Sequence, residues 1–181
     1  MIGIDPTDVL FANLPELAVK IGDLVEKGDD LKHLADCLDL QAKALLESGQ
    51  ESGFCRIHAH KFYLLADALS SAMRVGQDFV DECLRVRSDP EGARMFLENS
   101  LLPVIRGRHL LDYLVPVSCQ YAVVLAYCGE ETAARHTLGD MARFIVPGSH
   151  QEAEYLEQCN LVEQIATGQA TLEMLNDLLQ P

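Results

Sequence analysis

Residues 30–48 read DLKHLADCLDLQAKALLES and carry apolar side chains at steps of three and four residues. The positions that form this stripe are Leu31, Leu34, Ala35, Leu38, Ala42, Leu45 and Leu46. Because an α-helix completes a turn in about 3.6 residues, this spacing places them on one face and predicts an amphipathic helix. Gly49 follows the stripe and predicts the end of that helix.

The same spacing continues through the rest of the chain. It predicts further helices over residues 15–26, 52–75, 78–87, 90–102, 116–127, 130–145, 150–166 and 171–179, with a short one before the first of these. Gly76 is the predicted end of the long second helix, Ser88-Asp89-Pro90 predicts a capped helix start, and Pro103 is predicted to end or bend the helix that follows. Strand-like alternation of useful length does not occur in the sequence, which indicates an all-α fold.

The length and the even composition of the chain bear on its domain organisation. No low-complexity linker divides the 181 residues. A chain of this length buries a hydrophobic core without disulfides or a structural metal. We therefore expect one continuous helical domain over residues 1–181, built as antiparallel helical hairpins in a short solenoid or as a compact helical bundle.

The chain is strongly acidic, with a formal net charge of -14. Nucleic-acid binding depends on Lys and Arg side chains that neutralise phosphates, so the charge argues against a nucleic-acid partner. It argues equally against an anionic membrane surface. An acidic surface is consistent with solubility and with basic partners.

The cysteine pattern and the first residues bear on the cellular compartment. None of the six cysteines forms a C-x-x-C pair, and most lie within apolar helical patterns, which is typical of buried thiols in a reducing compartment. No basic segment precedes an apolar run near Met1, so we expect no secretory signal. The longest uncharged stretch, residues 113–129, contains Pro116 and Gln120 and is short for a membrane span. We expect a cytoplasmic protein.

Residues 115–148 contain small and large apolar residues at the spacing of a helical hairpin. Ala122 and Leu125 fall on the first helix, Gly129 on the turn, and Ala134 and Leu138 on the second helix, which also carries Met141. This segment resembles a tetratricopeptide repeat (TPR), a helical hairpin of about 34 residues. It departs from the family pattern because Ser118 stands where the early tryptophan is usual and Pro147 lies one place beyond the usual terminal proline.

More degenerate matches lie elsewhere. Ala42, Leu45 and Gly49 repeat the first-helix pattern, and residues 153–178 are similar to a truncated final pair. The resemblance is to the TPR-like superfamily, and it implies stacked hairpins whose concave face binds a peptide or another protein.

Four residues are the candidates for partner binding. The resemblance implies that the first helix of a hairpin lines the concave face, and Tyr121 and Tyr127 lie on that helix in residues 115–148. The alternative is that both tyrosines pack between hairpins and contact no partner. Arg106 and Arg108 fall in a predicted turn, where a guanidinium can bind a carboxylate or phosphate with two hydrogen bonds.

These two arginines belong to a wider basic segment. Residues 85–108 also contain Arg85, Arg87 and Arg94, so five of the 14 basic residues lie in this segment. The segment is the first place to look for a charged partner. The alternative is that these arginines balance the acidic residues of the chain itself.

The sequence predicts no metal site and no cofactor. His58 and His60 lie two positions apart, so on a helix they point to nearly opposite sides and cannot bind one ion together. We expect His58 to be partly buried in the core and His60 to lie on the surface. The usual zinc, phosphate-loop and nucleophile-elbow motifs are absent from the sequence.

Two pairs of residues have a spacing compatible with catalysis. Cys55 lies three residues before His58, a spacing that brings a thiol and an imidazole together on a helix, but a buried, unreactive cysteine is the more common case. His136 and Asp140 lie four residues apart, which is more often typical of a solvated helix face. We assign no catalytic residue.

Our leading interpretation is a non-enzymatic protein- or peptide-binding module that acts as an adaptor, a regulator or a chaperone. The alternative is a small-molecule-binding or catalytic pocket within a helical bundle, built from scattered residues such as Cys55, His58 and His136. A homodimer is a third possibility, because the apolar residues 171–179 can serve as an internal lid or as a dimer contact.

Overall fold

The computed structural model describes residues 31–177, and it describes their side chains as far as residue 174. The described residues form helices separated by short turns, with no strand among them. In chain order these are α1 (Leu31–Glu47), α2 (Gly53–Leu65), α3 (Leu69–Arg85), α4 (Pro90–Phe96), a π turn (Leu97–Leu101), α5 (Leu102–Gly107), α6 (Leu111–Tyr127), α7 (Glu131–Ala142), α8 (His150–Ala166) and α9 (Leu172–Asp177). The predicted all-α fold is confirmed.

The chain divides into two compact units, Met1–Gly76 and Gln77–Pro181. The prediction of one continuous domain stays a prediction. The helices predicted before residue 27 lie outside the described residues. So do the side chains from residue 175 onward, on which the predicted lid or dimer contact depends.

The first unit is built around α1 and α2. The predicted stripe of α1 faces inward, and Ala35, Leu38 and Ala42 are fully buried. From α2, Cys55 and Ala59 are buried as well. The predicted helix over residues 30–48 is therefore confirmed.

The long helix predicted over residues 52–75 is wrong, because α2 ends at Leu65 and α3 begins at Leu69. Asp67 takes a left-handed backbone conformation with φ of 56°, and the amide of Ala68 donates to the carbonyl of Tyr63 across 2.9 Å. This is the hydrogen bond of a Schellman helix end, which glycine usually forms and which Asp tolerates better than most residues.

Gly76 does not end a helix, contrary to prediction. It is buried within α3, which continues to Arg85 and includes most of the separate helix predicted over residues 78–87. A helical glycine costs only about 1 kcal/mol relative to alanine, so the rest of the helix overrides it.

The capped start at Asp89 is confirmed. Its carboxylate accepts a hydrogen bond from the amide of Gly92 at 2.9 Å, and Pro90 occupies the first turn of α4. Pro103 does not end the helical segment, which reaches Gly107. A proline ring clashes with the carbonyl four residues earlier, here that of Asn99. Asn99 belongs to the π turn, and the wider winding there relieves the clash.

The predicted hairpin of residues 115–148 corresponds to α6 and α7, although α6 begins earlier, at Leu111, and α7 ends earlier, at Ala142. Gly129 makes the turn with φ of 81°. Ala122 and Ala134 are fully buried in the same hydrophobic cluster, as their small size suggested.

Helix α8 has the bounds predicted for it. Ser149 caps its first turn by accepting a hydrogen bond from the amide of Glu152. Val162 joins the cluster of α6 and α7, and Arg135 of α7 makes two hydrogen bonds with Glu163 at 2.8 and 2.9 Å. None of the helices that the structure describes is both long enough and apolar enough to span a membrane.

Candidate functional site

The second unit contains a groove lined by three helices, with a cavity volume of about 380 Å³. The lining comes from the part of α3 after Gly76, from α6 and from α8. Each helix presents residues at steps of three or four, so one face of each turns toward the cavity.

The floor of the groove is apolar. Val115, Cys119 and Val123 follow one another at steps of four along α6, and all three are buried. Leu84 of α3 and Leu161 of α8 add further apolar surface. An apolar floor of this kind provides the binding free energy of a ligand site.

Acidic side chains dominate the charge of the rim. Asp81 of α3 and both Glu154 and Glu157 of α8 line the groove and are exposed, whereas Arg85 is the single cation among the described lining residues. The lining therefore has two more negative than positive charges. It favours a cationic ligand over an anionic one.

Four glutamines also line the groove, namely Gln77 of α3, Gln120 of α6, and Gln151 and Gln158 of α8. The side-chain amide of Gln120 donates to Oδ1 of Asp81 at 3.0 Å, whereas its own Oε1 is buried and has no hydrogen-bond partner among the described residues. Side-chain amides both donate and accept, so this lining suits a ligand with both kinds of polar group.

Tyr127, a predicted partner-binding residue, lines the groove. Its hydroxyl is sealed from solvent and has no hydrogen-bond partner in the described part of the chain. Burial raises the pKa of this hydroxyl, and the nearby positive charge of Arg85 opposes the shift. A buried polar group without a partner is uncommon in native proteins and calls for an explanation.

Tyr121 does not line the groove, although it was predicted to bind a partner together with Tyr127. Its hydroxyl donates to Oε1 of Glu98 at 2.6 Å, and Nε of Arg94 donates to the same oxygen at 3.0 Å. Burial and the hydrogen bond to Glu98 raise the pKa of Tyr121 to about 12. The six-residue separation of the two tyrosines turns them to different faces of α6.

Arg106 and Arg108 are both exposed, and neither lines the groove. Arg106 lies in the last turn of α5 and Arg108 follows it in the turn that leads to α6. The five arginines of residues 85–108 have different roles, because Arg85 lines the groove and Arg94 forms ion pairs with Glu91, Glu98 and Glu130. The role of Arg106 and Arg108 in partner binding stays a prediction.

Comparison with known proteins gives no relative. No family model, curated protein or solved structure matches the chain.

The histidines of α2 differ from prediction in one respect. His58 is half-buried between Phe54 and Phe62, with ring centroids at 4.4 and 6.5 Å, as expected for a core histidine. His60 was predicted on the surface, and this was wrong: it is buried, with Nδ1 at 2.8 Å from the carbonyl oxygen of Ala72. The start of α3 therefore packs over the face of α2 that the helical pattern predicted to be exposed.

The geometry gives little support to the two residue pairs whose spacing was compatible with catalysis. Cys55 is buried, and His136 and Asp140 are exposed on α7 with 3.6 Å between Nδ1 and Oδ2. Among residues 31–177, no group of three or more His, Cys, Asp or Glu side chains is placed to bind a metal ion.

The cysteine that lines the groove is not an activated nucleophile. Burial raises the pKa of the Cys119 thiol to about 12, so at neutral pH it is not a thiolate. No histidine stands among the described residues that line the cavity. A weakly acidic thiol without a base beside it is a poor nucleophile.

The rim of the groove was not predicted from the sequence. Gln158 and Glu154 lie on the polar side of α8, a side that is usually solvated and gives no separate signal. The floor did carry a signal, because positions 115, 119, 123 and 127 form one continuous row along α6.

Proposed function

We propose that this chain is a non-enzymatic protein-binding module that holds a segment of a partner protein in the groove of α3, α6 and α8. The observation that carries the proposal is the combination of an apolar floor with a rim of amide and carboxylate groups. Protein-recognition sites characteristically surround a desolvated apolar centre with a polar edge.

The order of the helices supports the same proposal. Helix α6 pairs with α7, and both α6 and α8 line the groove. If residues 153–178 form the truncated final pair that the sequence resembles, α6 and α8 are the first helices of two successive hairpins. The first helices line the concave face in the TPR-like superfamily that residues 115–148 resemble. We infer that the chain is a degenerate member of that architecture.

The cysteines and the net charge support a cytoplasmic compartment and a basic protein partner. No disulfide joins any of the six cysteines, which all lie in the described part of the chain, and this is consistent with a reducing cytoplasm. The net charge of -14 disfavours nucleic acid and anionic membranes as partners and favours a basic protein.

Selection from a displayed library of random peptides tests the proposal and requires no known partner. The purified chain is the bait, and Gln158→Arg, which places a cation on the rim, is the counter-bait. Gln164→Arg is the matched control, because Gln164 lies on the same helix but does not line the groove.

We expect a peptide consensus that binds the wild type and the Gln164→Arg variant and loses at least about tenfold in affinity for Gln158→Arg. Recovery of no consensus, or of one that both variants bind equally, would contradict the proposal. Circular dichroism confirms that both variants remain helical.

The cavity volume supports a second candidate function, the binding of a small organic cation. A volume of about 380 Å³ lies within the range of small-molecule sites. Calorimetry with spermidine tests this candidate, because spermidine combines positive charges with apolar methylene groups. Saturable binding that Gln158→Arg abolishes and Gln164→Arg leaves intact, without any peptide consensus, would favour it over the leading proposal.

A further inference from the structure

We propose that the segment held in the groove is an extended stretch in which apolar and basic residues alternate, with its backbone hydrogen-bonded to the glutamine side chains. The inference rests on the proposed function and specifies the chemistry and conformation of the partner segment.

The charge of the rim argues for basic side chains in the partner. Asp81, Glu154 and Glu157 outnumber Arg85, the one cation among the described lining residues. A lysine or arginine of the partner that reaches the rim meets carboxylates on exposed residues, so the pairing costs little desolvation. An acidic segment would be repelled by the same side chains.

The glutamines argue for an extended backbone. A helix satisfies its own backbone N–H and C=O groups, apart from those at its ends, and leaves side-chain amides little to bind. An extended segment has unpaired backbone donors and acceptors that need partners when they leave water. Gln77, Gln151 and Gln158 offer both kinds of group along the groove, whereas the amide nitrogen of Gln120 already donates to Asp81 and to the Gln77 carbonyl.

The spacing of the floor argues for alternation. Val115, Cys119 and Val123 follow at steps of four on α6, which corresponds to about 6 Å along the helix axis. Alternate side chains of an extended segment are separated by about 6.6 Å and point to the same side. A segment that runs along α6 therefore places every second side chain on a successive floor residue and directs the others toward the rim.

The cavity volume is consistent with this arrangement. With its side chains, an α-helix is about 10–12 Å across, and only one face of it could enter a cavity of 380 Å³. A short extended stretch can place its backbone, as well as its apolar side chains, within reach of the glutamines.

Fluorescence anisotropy with four labelled synthetic peptides tests the inference. The first alternates Leu and Lys; the second has the same composition rearranged to the helical period. The third replaces each Lys by Glu, and the fourth is the first peptide with N-methylated leucine amides, which cannot donate hydrogen bonds. The full-length chain is used at physiological ionic strength.

We expect the alternating Leu-Lys peptide to bind at least about tenfold more tightly than each of the other three. Tighter binding of the rearranged peptide, with sensitivity to Gln158→Arg, would overturn the extended conformation but leave the proposed function standing. If none of these peptides binds and the library yields no consensus, the proposed function fails as well.

Variants of the chain separate specific binding from general attraction to an acidic protein. The pair Glu154→Gln and Glu157→Gln removes two charges from the rim, whereas the control pair Asp140→Asn and Glu173→Gln removes two exposed charges elsewhere. We expect the rim pair to weaken binding of the alternating peptide several-fold more than the control pair. An equal effect would overturn the inference.

The glutamine contacts have their own test. Gln158→Leu and Gln151→Leu each remove an amide from the rim, and Gln164→Leu is the control. We expect the two rim variants to lose more affinity for the alternating peptide than for its N-methylated form, since that form has already lost the leucine amide donors that these glutamines would accept from. An equal loss for both peptides would overturn the backbone contact.

A second copy of this chain is a competing occupant, because Arg106 and Arg108 are exposed. Sedimentation of the wild type and of the Arg106→Ala, Arg108→Ala variant decides the matter. Self-association that this variant and Gln158→Arg both abolish would overturn the inference, and a monomeric wild type supports it.

Discussion

The hydroxyl of Tyr121 donates a hydrogen bond to the carboxylate of Glu98, with 2.6 Å between the two oxygens, and so joins α6 to the π turn. This hydrogen bond is the largest single influence on the carboxyl group of Glu98, and together with Arg94 it lowers the pKa of that group. A tyrosine that was predicted to bind a partner therefore holds two helical segments together.

Replacing Tyr121 by Phe should lower the free energy of unfolding by about 1.5 kcal/mol at neutral pH, since the lost hydrogen bond has a charged acceptor. Because the pKa of Glu98 is lowered in the folded state, its contribution is present above the unfolded pKa of about 4.3 and disappears as pH falls through the folded value. The difference between variant and wild type should therefore shrink below about pH 4.

Urea denaturation at neutral pH and at about pH 3 measures both effects. Tyr113→Phe is the control, because it removes a tyrosine hydroxyl from the same helix without touching the pair of Tyr121 and Glu98. A loss for Tyr121→Phe that does not change with pH would count against the role of Glu98.

His60 should make the stability of the protein depend on pH. Burial lowers the pKa of its imidazole, although the hydrogen bond to the Ala72 carbonyl opposes the shift. The unfolded chain takes up a proton near pH 6.5 while the folded chain does so only at lower pH. Stability therefore falls as pH drops below about 6.5, by at most about 1.4 kcal/mol per pH unit for this group.

His60→Asn tests this prediction, since an asparagine amide can still donate to the carbonyl but does not titrate in this range. We expect a smaller loss of stability between about pH 7 and pH 5 than in the wild type, measured by thermal unfolding. Some slope should remain, because burial also lowers the pKa of His58. His136→Asn, at an exposed position on α7, is the matched control substitution.

The helices could be predicted from sequence where the buried face is made of one kind of residue. Leu34, Leu38 and Leu45 define the register of α1 because all of them point to the same core. The cap at Asp89 and the turn at Gly129 were predictable as well, because each depends on the chemistry of one residue and its immediate neighbours.

The break at Asp67 could not be predicted in this way, because an aspartate at a helix end gives no signal comparable to glycine. The burial of His60 depends on α3 turning back over α2, which follows from that break. The rim of the groove combines residues from three helices, and no single stretch of sequence contains it. Local sequence patterns predict single helices. A site that several helices share can be predicted only when the arrangement of those helices is known.

Asp39 should be one of the most sensitive positions of the first unit. It is buried, with Arg56 Nη1 at 3.5 Å, Arg74 Nη2 at 2.7 Å and Lys43 Nζ at 3.2 Å. Arg56 is buried too, whereas the side chain of Arg74 is 46% exposed. Without Arg56, the buried carboxylate of Asp39 keeps only the half-exposed cations Arg74 and Lys43, whose charges water screens.

Arg56→Met, which keeps most of the side-chain volume, should therefore lower the free energy of unfolding by about 3 kcal/mol. Arg74→Met should lower it by at most about 1 kcal/mol, although its distance to Asp39 is shorter, since water screens the charge of a side chain that is 46% exposed. Urea denaturation of the two variants measures the difference. A larger loss for Arg74→Met would mean that distance, and not burial, determines the contribution of each pair, and equal losses would mean that burial does not decide it.

Gly129, in the turn between α6 and α7, and Gly139, inside α7, offer a matched comparison. Gly129 has φ of 81°, and a Cβ added there would meet no atom within 4 Å. Gly129→Ala should therefore destabilise the protein by about 1–2 kcal/mol through backbone conformation alone. Gly139 lies inside α7, also with open space around a Cβ, and Gly139→Ala should stabilise the protein by about 0.5–1 kcal/mol. Thermal denaturation gives both signs, and a loss in both variants would contradict the argument.

The unpaired hydroxyl of Tyr127 leads to the prediction that bears most directly on the groove. A buried hydroxyl without a partner keeps the full cost of its desolvation, which is about 1–3 kcal/mol. Tyr127→Phe should therefore leave the free energy of unfolding unchanged or raise it by about 1 kcal/mol. If binding of the partner uncovers this hydroxyl, the same variant should bind the alternating Leu-Lys peptide several-fold more weakly, because the peptide backbone then loses one hydrogen-bond partner.

Urea denaturation and fluorescence anisotropy measure the two effects of Tyr127→Phe on one preparation, with Tyr113→Phe as the control. A gain in stability without loss of affinity would mean that the hydroxyl has no part in binding. A loss of stability would mean that the hydroxyl already has a partner in the free protein, since only a satisfied hydrogen bond stabilises the folded state when it is buried.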